Sequence, residues 1–161
     1  MDQRELLDKA VNKLGEVAER FHFVLVGGCA LGCLVKDSPE PPRTTVDVDF
    51  IVHASLSRMD DLERELRALG FKHDPEVRCR FTCEDLTIDI VQWPSPDGAN
   101  ANAWYEIASQ TASNWQTPSG QEIKVIHAPV FVATKLEAMQ ARASSYLDSH
   151  DLEDRHGTRL A

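Results

Sequence analysis

In residues 44–52 (TTVDVDFIV), polar and apolar residues alternate one by one, a period that suits a β-strand and not a helix. Asp47 and Asp49 then share one face, roughly 6–7 Å apart along the strand. Val46, Val48 and Phe50 take the other face, toward the core. Two carboxylates side by side repel each other and cost stability unless a cation joins them. Residues 86–93 (LTIDIVQW) repeat the pattern, with Thr87, Asp89 and Val91 on one face and Ile88 and Ile90 on the other. Between isoleucines, Asp89 is badly placed for an unpaired charge. If the two strands are neighbours, three carboxylates converge. Hard oxygen ligands in such a cluster suit Mg2+ or Mn2+, and two such ions can clamp a phosphoryl transfer. The plainer alternative is a solvent-facing edge strand, with Arg78 or Arg80 of the neighbouring segment pairing with Asp89.

A second feature stands upstream. Residues 23–26 (FVLV) read as a short buried strand ended by Gly27-Gly28, with 29–35 as a short helix. Glycines let the backbone come close to a phosphate, and a helix N-terminus offers free N–H groups and partial positive charge. Around this centre, residues 3–20 and 56–69 have helical periodicity, and Gly70 closes the second of these helices. Residues 37–43 (DSPEPPR) form a proline-rich loop. Residues 77–83 and 86–93 form a hairpin across Glu84-Asp85. A short helix is expected at 103–110, a polar turn-rich stretch at 111–120 and a strand at 123–126. A helix from Pro129 to about residue 145 and a last helical segment at 149–155 complete the chain. The order is that of an α/β (α+β) protein, a mixed β-sheet flanked by helices. At 161 residues it suits a single domain over 1–161, with 129–155 as its C-terminal helical part.

Net charge is −9, which argues against nonspecific coating of nucleic acid, since phosphate binding needs cationic surface. No stretch approaches the roughly 20 apolar residues of a membrane span. The N-terminus is charged and amphipathic, unlike a secretory signal, so no membrane association and a cytoplasmic location are expected. Cys29, Cys33, Cys79 and Cys83 are spaced i, i+4 in pairs. Zinc is one reading, but reduced, mostly buried thiols fit this spacing better than a C-x2-C knuckle does.

The segments Val26-Gly27-Gly28-Cys29-Ala30-Leu31 and Arg43-Thr44-Thr45-Val46-Asp47-Val48-Asp49 resemble the signature of the DNA polymerase β-like nucleotidyltransferase superfamily. Within it, the R-x-T-x-D-x-D form is similar to the AbiEii/MenT-like toxin nucleotidyltransferases. Lys135 to Arg142, then Asp151 and Asp154, resemble that group's Lys-x6-Arg and Asp-Leu-x-Asp motifs. The resemblance implies a nucleotidyltransferase fold. It implies transfer of a nucleoside monophosphate from an NTP to an acceptor, with release of pyrophosphate and with Mg2+ or Mn2+ as cofactor. Asp47, Asp49 and Asp89 would hold metal, and Asp89 could accept the acceptor's proton. Gly27 and Gly28 would cradle the β and γ phosphates, and Lys135 would contact the triphosphate. Arg43 or Thr45 would position the loop or the phosphates. Relatives carry further helical structure beyond the point where this tail turns polar, which leaves the acceptor open and apolar surface for a homodimer to cover.

Three functions compete. One is nucleotidylation of tRNA or protein in a toxin–antitoxin or phage-defence role, with an antitoxin partner. Another is modification of a small molecule such as an antibiotic, which an acidic surface favours. The third is a catalytically inactive nucleotide- or partner-binding module, against which the three aspartates speak. For Lys135 and Arg142 the plain alternative is the solvated face of a helix whose Val132, Leu136 and Met139 point inward. Trp93, Trp104 and Trp115 are read as packing residues.

Overall fold

The computed structural model describes residues 2–35, 45–96 and 102–157, with side chains to residue 143. Two helices open the chain, α1 (Gln3–Leu14) and α2 (Glu16–Arg20). The periodicity ran through 3–20 without a break, but Gly15, at φ +52°, ends one helix and starts the other. Asp2 caps α1, accepting from the Arg4 and Glu5 amides while Glu5 reaches back to the Asp2 amide.

Among the described residues, seven strands follow, interleaved with helices. They are β1 (Val24–Val26), β2 (Val48–His53), β3 (Lys72–His73), β4 (Arg80–Cys83), β5 (Leu86–Trp93), β6 (Ser113–Gln116) and β7 (Glu122–Val125). The helices are α3 (Gly27–Leu34), α4 (Leu56–Ala68), α5 (Tyr105–Thr111) and α6 (Ala128–Gly157). All strands join one sheet in the order β3-β4-β5-β2-β1-β7-β6. The β2–β5 and β1–β7 pairs are parallel and the rest antiparallel, so the sheet is mixed, as the element order implied. Central strands carry the core: Leu25, Phe50, Ile51 and Ile88 are fully buried, and Phe23 meets Phe50 with ring centroids 5.2 Å apart. Helix α4 adds Leu62 and Leu66 to this core.

Several expectations are corrected. Strand β2 begins at Val48, not at residue 44, because its β1 neighbour stops at the Val26–Asp49 pair where the chain turns into α3. Asp47 therefore lies in a bend, and Val46 is 77% exposed instead of buried. Strand β4 begins at Arg80 rather than at 77, and the polar edge strand β6 occupies part of the stretch read as turns. The two C-terminal helical segments are one continuous helix, α6. Its Val132, Leu136 and Met139 are more than half exposed, and the residues that turn inward are Val130 and Thr134.

No helix among the described residues is long and apolar enough to cross a membrane.

Candidate active site

The parallel β2–β5 register sets Asp49 directly beside Asp89, as the two alternating strands implied if adjacent. On the far side of β5, the antiparallel β4 register sets Arg80 opposite Asp89. Its guanidinium grips Asp89 through two bonds, Nε to Oδ1 and Nη2 to Oδ2, both 2.8 Å. The same Nη2 donates to Asp47 Oδ2 at 3.1 Å. The Thr45 hydroxyl donates to the other Asp47 oxygen at 3.0 Å. One arginine thus ties together carboxylates from β5 and from the bend before β2. Of the two arginines considered as partners for Asp89, the strand pairing selects Arg80; Arg78 lies in the turn before β4.

Asp49 has a different environment. The Gly28 amide at the start of α3 works to hold its carboxyl down, and Gly27, at φ +64°, lies so close that a Cβ there would stand 1.8 Å from Asp49 Oδ2. Only glycine fits that position, by conformation and by space. The Gly27-Gly28 turn thus seats a carboxylate directly. Burial raises the Asp49 carboxyl to about 6, the charges of Asp47 and Asp89 push the same way, and the Gly28 amide and Lys135 oppose them. The three-carboxylate site is short of positive charge chiefly at Asp49.

Lys135 projects from α6, its Nζ 5.5 Å from the Phe131 ring centroid. With Gly28, Thr45, Asp47, Asp49 and Phe131 it lines an open cleft of about 450 Å³. Arg142 is exposed and bonds back to the Ala138 carbonyl, along its own helix. Arg43 lies outside the described residues, as do the side chains of Asp151 and Asp154. Two further residues border the site that the sequence did not single out. Gln3 of α1 lines the cleft, and Tyr105 of α5 has its phenol pushed upward by burial and then by the charge of Asp49. No local motif marks either one; they arrive by helix packing.

The donor set tests the fit of a divalent ion. Three carboxylates with unbalanced charge at Asp49 supply hard oxygen ligands of the kind Mg2+ and Mn2+ take. Among the described residues, however, no three acidic, histidine or cysteine groups stand ready-made around one metal position. Arg80 holds both oxygens of Asp89 and one of Asp47. The donor chemistry fits, and in this structure Asp47 and Asp89 are held by Arg80. Among the described residues the cysteines gather into no such group either. Cys29 and Cys33 are buried in α3, and burial pushes both thiols up to about 12, as expected of inert packing residues.

The family model described as nucleotidyl transferase AbiEii toxin, type IV TA system, matches residues 10–156. The chain belongs to the AbiEii nucleotidyltransferase toxin family. No curated protein matches it. Two solved structures are similar in part. A solution structure of the antibiotic-resistance factor ANT(2'')-Ia is 16% identical, with a TM-score of 0.44, and the alignment covers 98% of this chain and 99% of that one. A crystal structure of ANT(2'')-Ia in complex with adenylyl-2''-tobramycin is 14% identical, also with a TM-score of 0.44, covering 96% and 98%. The assignment of this AbiEii-family chain as a nucleotidyltransferase rests on the family match.

Proposed function

We propose that this AbiEii-family enzyme moves a nucleoside monophosphate from an NTP to an acceptor hydroxyl in a reaction that requires Mg2+ or Mn2+. The observation that carries this reading is the Asp49–Asp89 pair, fixed by the β2–β5 register, with Asp47 joined to it through Arg80. Asp47, Asp49 and Asp89 would be the metal's ligands. Bound there, the ion would supply the positive charge that stabilises the transferring phosphoryl group.

The chain's own residues do the rest. Lys135, exposed at the mouth of the cleft, meets the triphosphate as a point charge. Thr45 holds Asp47 in orientation through its hydroxyl. Gly27 and Gly28 keep the N-terminus of α3 against Asp49, so phosphates approaching this turn meet a surface without side chains. The acceptor oxygen attacks the α-phosphorus, the bond to pyrophosphate breaks, and the hydroxyl proton passes to Asp89.

In this reading the acceptor is a macromolecule, tRNA or protein, and the protein works beside an antitoxin; the toxin–antitoxin description of the family supports the antitoxin partner. A small-molecule acceptor is the second reading, favoured by the net charge of −9, which repels a polyanion. Incubation with each of the four labelled NTPs, Mg2+ and either total tRNA, cell protein or candidate small molecules separates these acceptors. Label must appear in one fraction with pyrophosphate released, and Asp49→Asn must abolish it. Label transfer that survives both Asp49→Asn and chelation of metal refutes the reading.

A further inference from the structure

The fate of Arg80 in this site is not accounted for by the reaction just described. Its guanidinium sits between Asp47 and Asp89, bonded to both oxygens of one and one oxygen of the other. The remaining Asp47 oxygen accepts from Thr45. A cation entering among the three carboxylates therefore finds four oxygens already engaged, and a permanent positive charge beside it. An arginine side chain does not lose its proton, so it vacates such a position only by moving. Room to move exists. The Arg80 side chain is 31% exposed, against 13% for Asp89, and it lies on the next strand out toward the sheet edge.

Resting on the metal-dependent reading above, we infer that Arg80 is the resident counter-ion of the metal-free enzyme and is displaced from Asp47 and Asp89 when a divalent cation binds. Two consequences follow from the charges. Metal alone competes with a tethered cation and binds weakly. Metal arriving with a nucleoside triphosphate brings negative phosphates, which add oxygen ligands and give the released guanidinium a new partner. Arg80 thereby couples metal binding to nucleotide binding, and the site is assembled only when both are present.

The test reads binding rather than turnover. Calorimetric titration with Mn2+ is run on the wild type, Arg80→Gln and Arg80→Lys, alone and with nonhydrolysable analogues of the four NTPs. If the guanidinium occupies the site about nine-tenths of the time, Arg80→Gln binds Mn2+ alone roughly tenfold more tightly than the wild type. Nucleotide then strengthens metal binding in the wild type by more than it does in Arg80→Gln. Arg80→Lys, with a point charge in place of the fork, falls between. In the wild type itself, the Arg80 Nε–H resonance, assigned by its absence in Arg80→Lys, is protected without metal. It shifts and loses protection when Mg2+ and analogue are added. That measurement decides the matter even if Arg80→Gln does not fold. Equal or weaker Mn2+ binding by a folded Arg80→Gln, or an Nε–H signal unchanged at saturating Mg2+ and analogue, overturns the displacement and leaves the metal-dependent reading standing. No Mn2+ binding by any of the proteins, with or without nucleotide, overturns the metal-dependent reading and the displacement with it.

Discussion

Replacing Gly27 by alanine isolates the contact on which the site is built. Gly27 has φ +64°, a conformation that costs an L-residue roughly 1–2 kcal/mol. The added Cβ would lie 1.8 Å from Asp49 Oδ2, 2.4 Å from its Cγ and 2.7 Å from its Cβ. All three are far inside van der Waals contact, so the Asp49 side chain or the start of α3 must shift, at a further cost of about 1–3 kcal/mol. The sum, roughly 2–5 kcal/mol, lowers the melting temperature of a chain this size by roughly 5–20 °C. Function suffers more than stability. The shift weakens the influence of the Gly28 amide on Asp49 and moves a proposed metal ligand by about 1 Å, a displacement that costs on the order of 100-fold in rate. Gly28→Ala is the control. Its Cβ would approach Thr45 Cβ and Oγ1 at 3.2 Å without requiring positive φ, and the expected loss is about 1 kcal/mol or less. Thermal melts and NTP-transfer rates on both variants read the result. A Gly27→Ala protein with wild-type melting temperature and rate would refute the close seating of Asp49 against the turn.

Other expectations concern charge and backbone. The folded Asp49 carboxyl holds its proton to about 6, whereas an unfolded one releases it near 3.8, so stability contributed by this group falls as pH rises between those values. Asp49→Asn removes that loss, and the metal-free variant melts above the wild type at pH 7.5 by the equivalent of about 2–3 kcal/mol, the gap closing near pH 4. A variant that melts below the wild type at pH 7.5 contradicts the assigned burial. Gly15→Ala meets no atom within 4 Å yet forces φ +52° on alanine, so it costs about 1–2 kcal/mol in thermal melts with no change in transfer rate. Lys135→Ala, at an exposed position, leaves the melting temperature in place and raises KM for NTP roughly tenfold; an effect confined to kcat argues against triphosphate contact.

The strands that carry the site were legible because burial on one face and charge on the other leave a period of two; that Asp49 and Asp89 are adjacent depends on the β2–β5 pairing, which the period alone left open. Asp47 escaped the same logic. The length of β2 is set by β1, whose end is decided by where the chain turns at Gly27, a partner effect that no local pattern carries. Arg80 was visible only as one of two arginines, and the choice between them needed the β4–β5 register. The polar strand β6 (SNWQ) holds its place at the sheet edge through pairing with β7, with little apolar alternation to announce it. Along α6, Val132, Leu136 and Met139 recur at helical spacing, yet the helix docks through Val130 and Thr134 instead. Apolar periodicity indicated a helix and gave the wrong face.

The place of β1 between β2 and β7 has a consequence for synthesis of the chain. Asp47, Asp49, Asp89, Arg80 and both glycines all precede residue 94, so everything acidic in the site and its resident guanidinium emerge from the ribosome first. β7 and the helix bearing Lys135 come last, and β7 pairs along the free edge of β1. A growing chain therefore passes through a stage in which the carboxylates and their arginine are made but Lys135, the lysine proposed to meet the triphosphate, is not. On this order of emergence, the proposed nucleotide site is complete only in a chain translated through the start of α6.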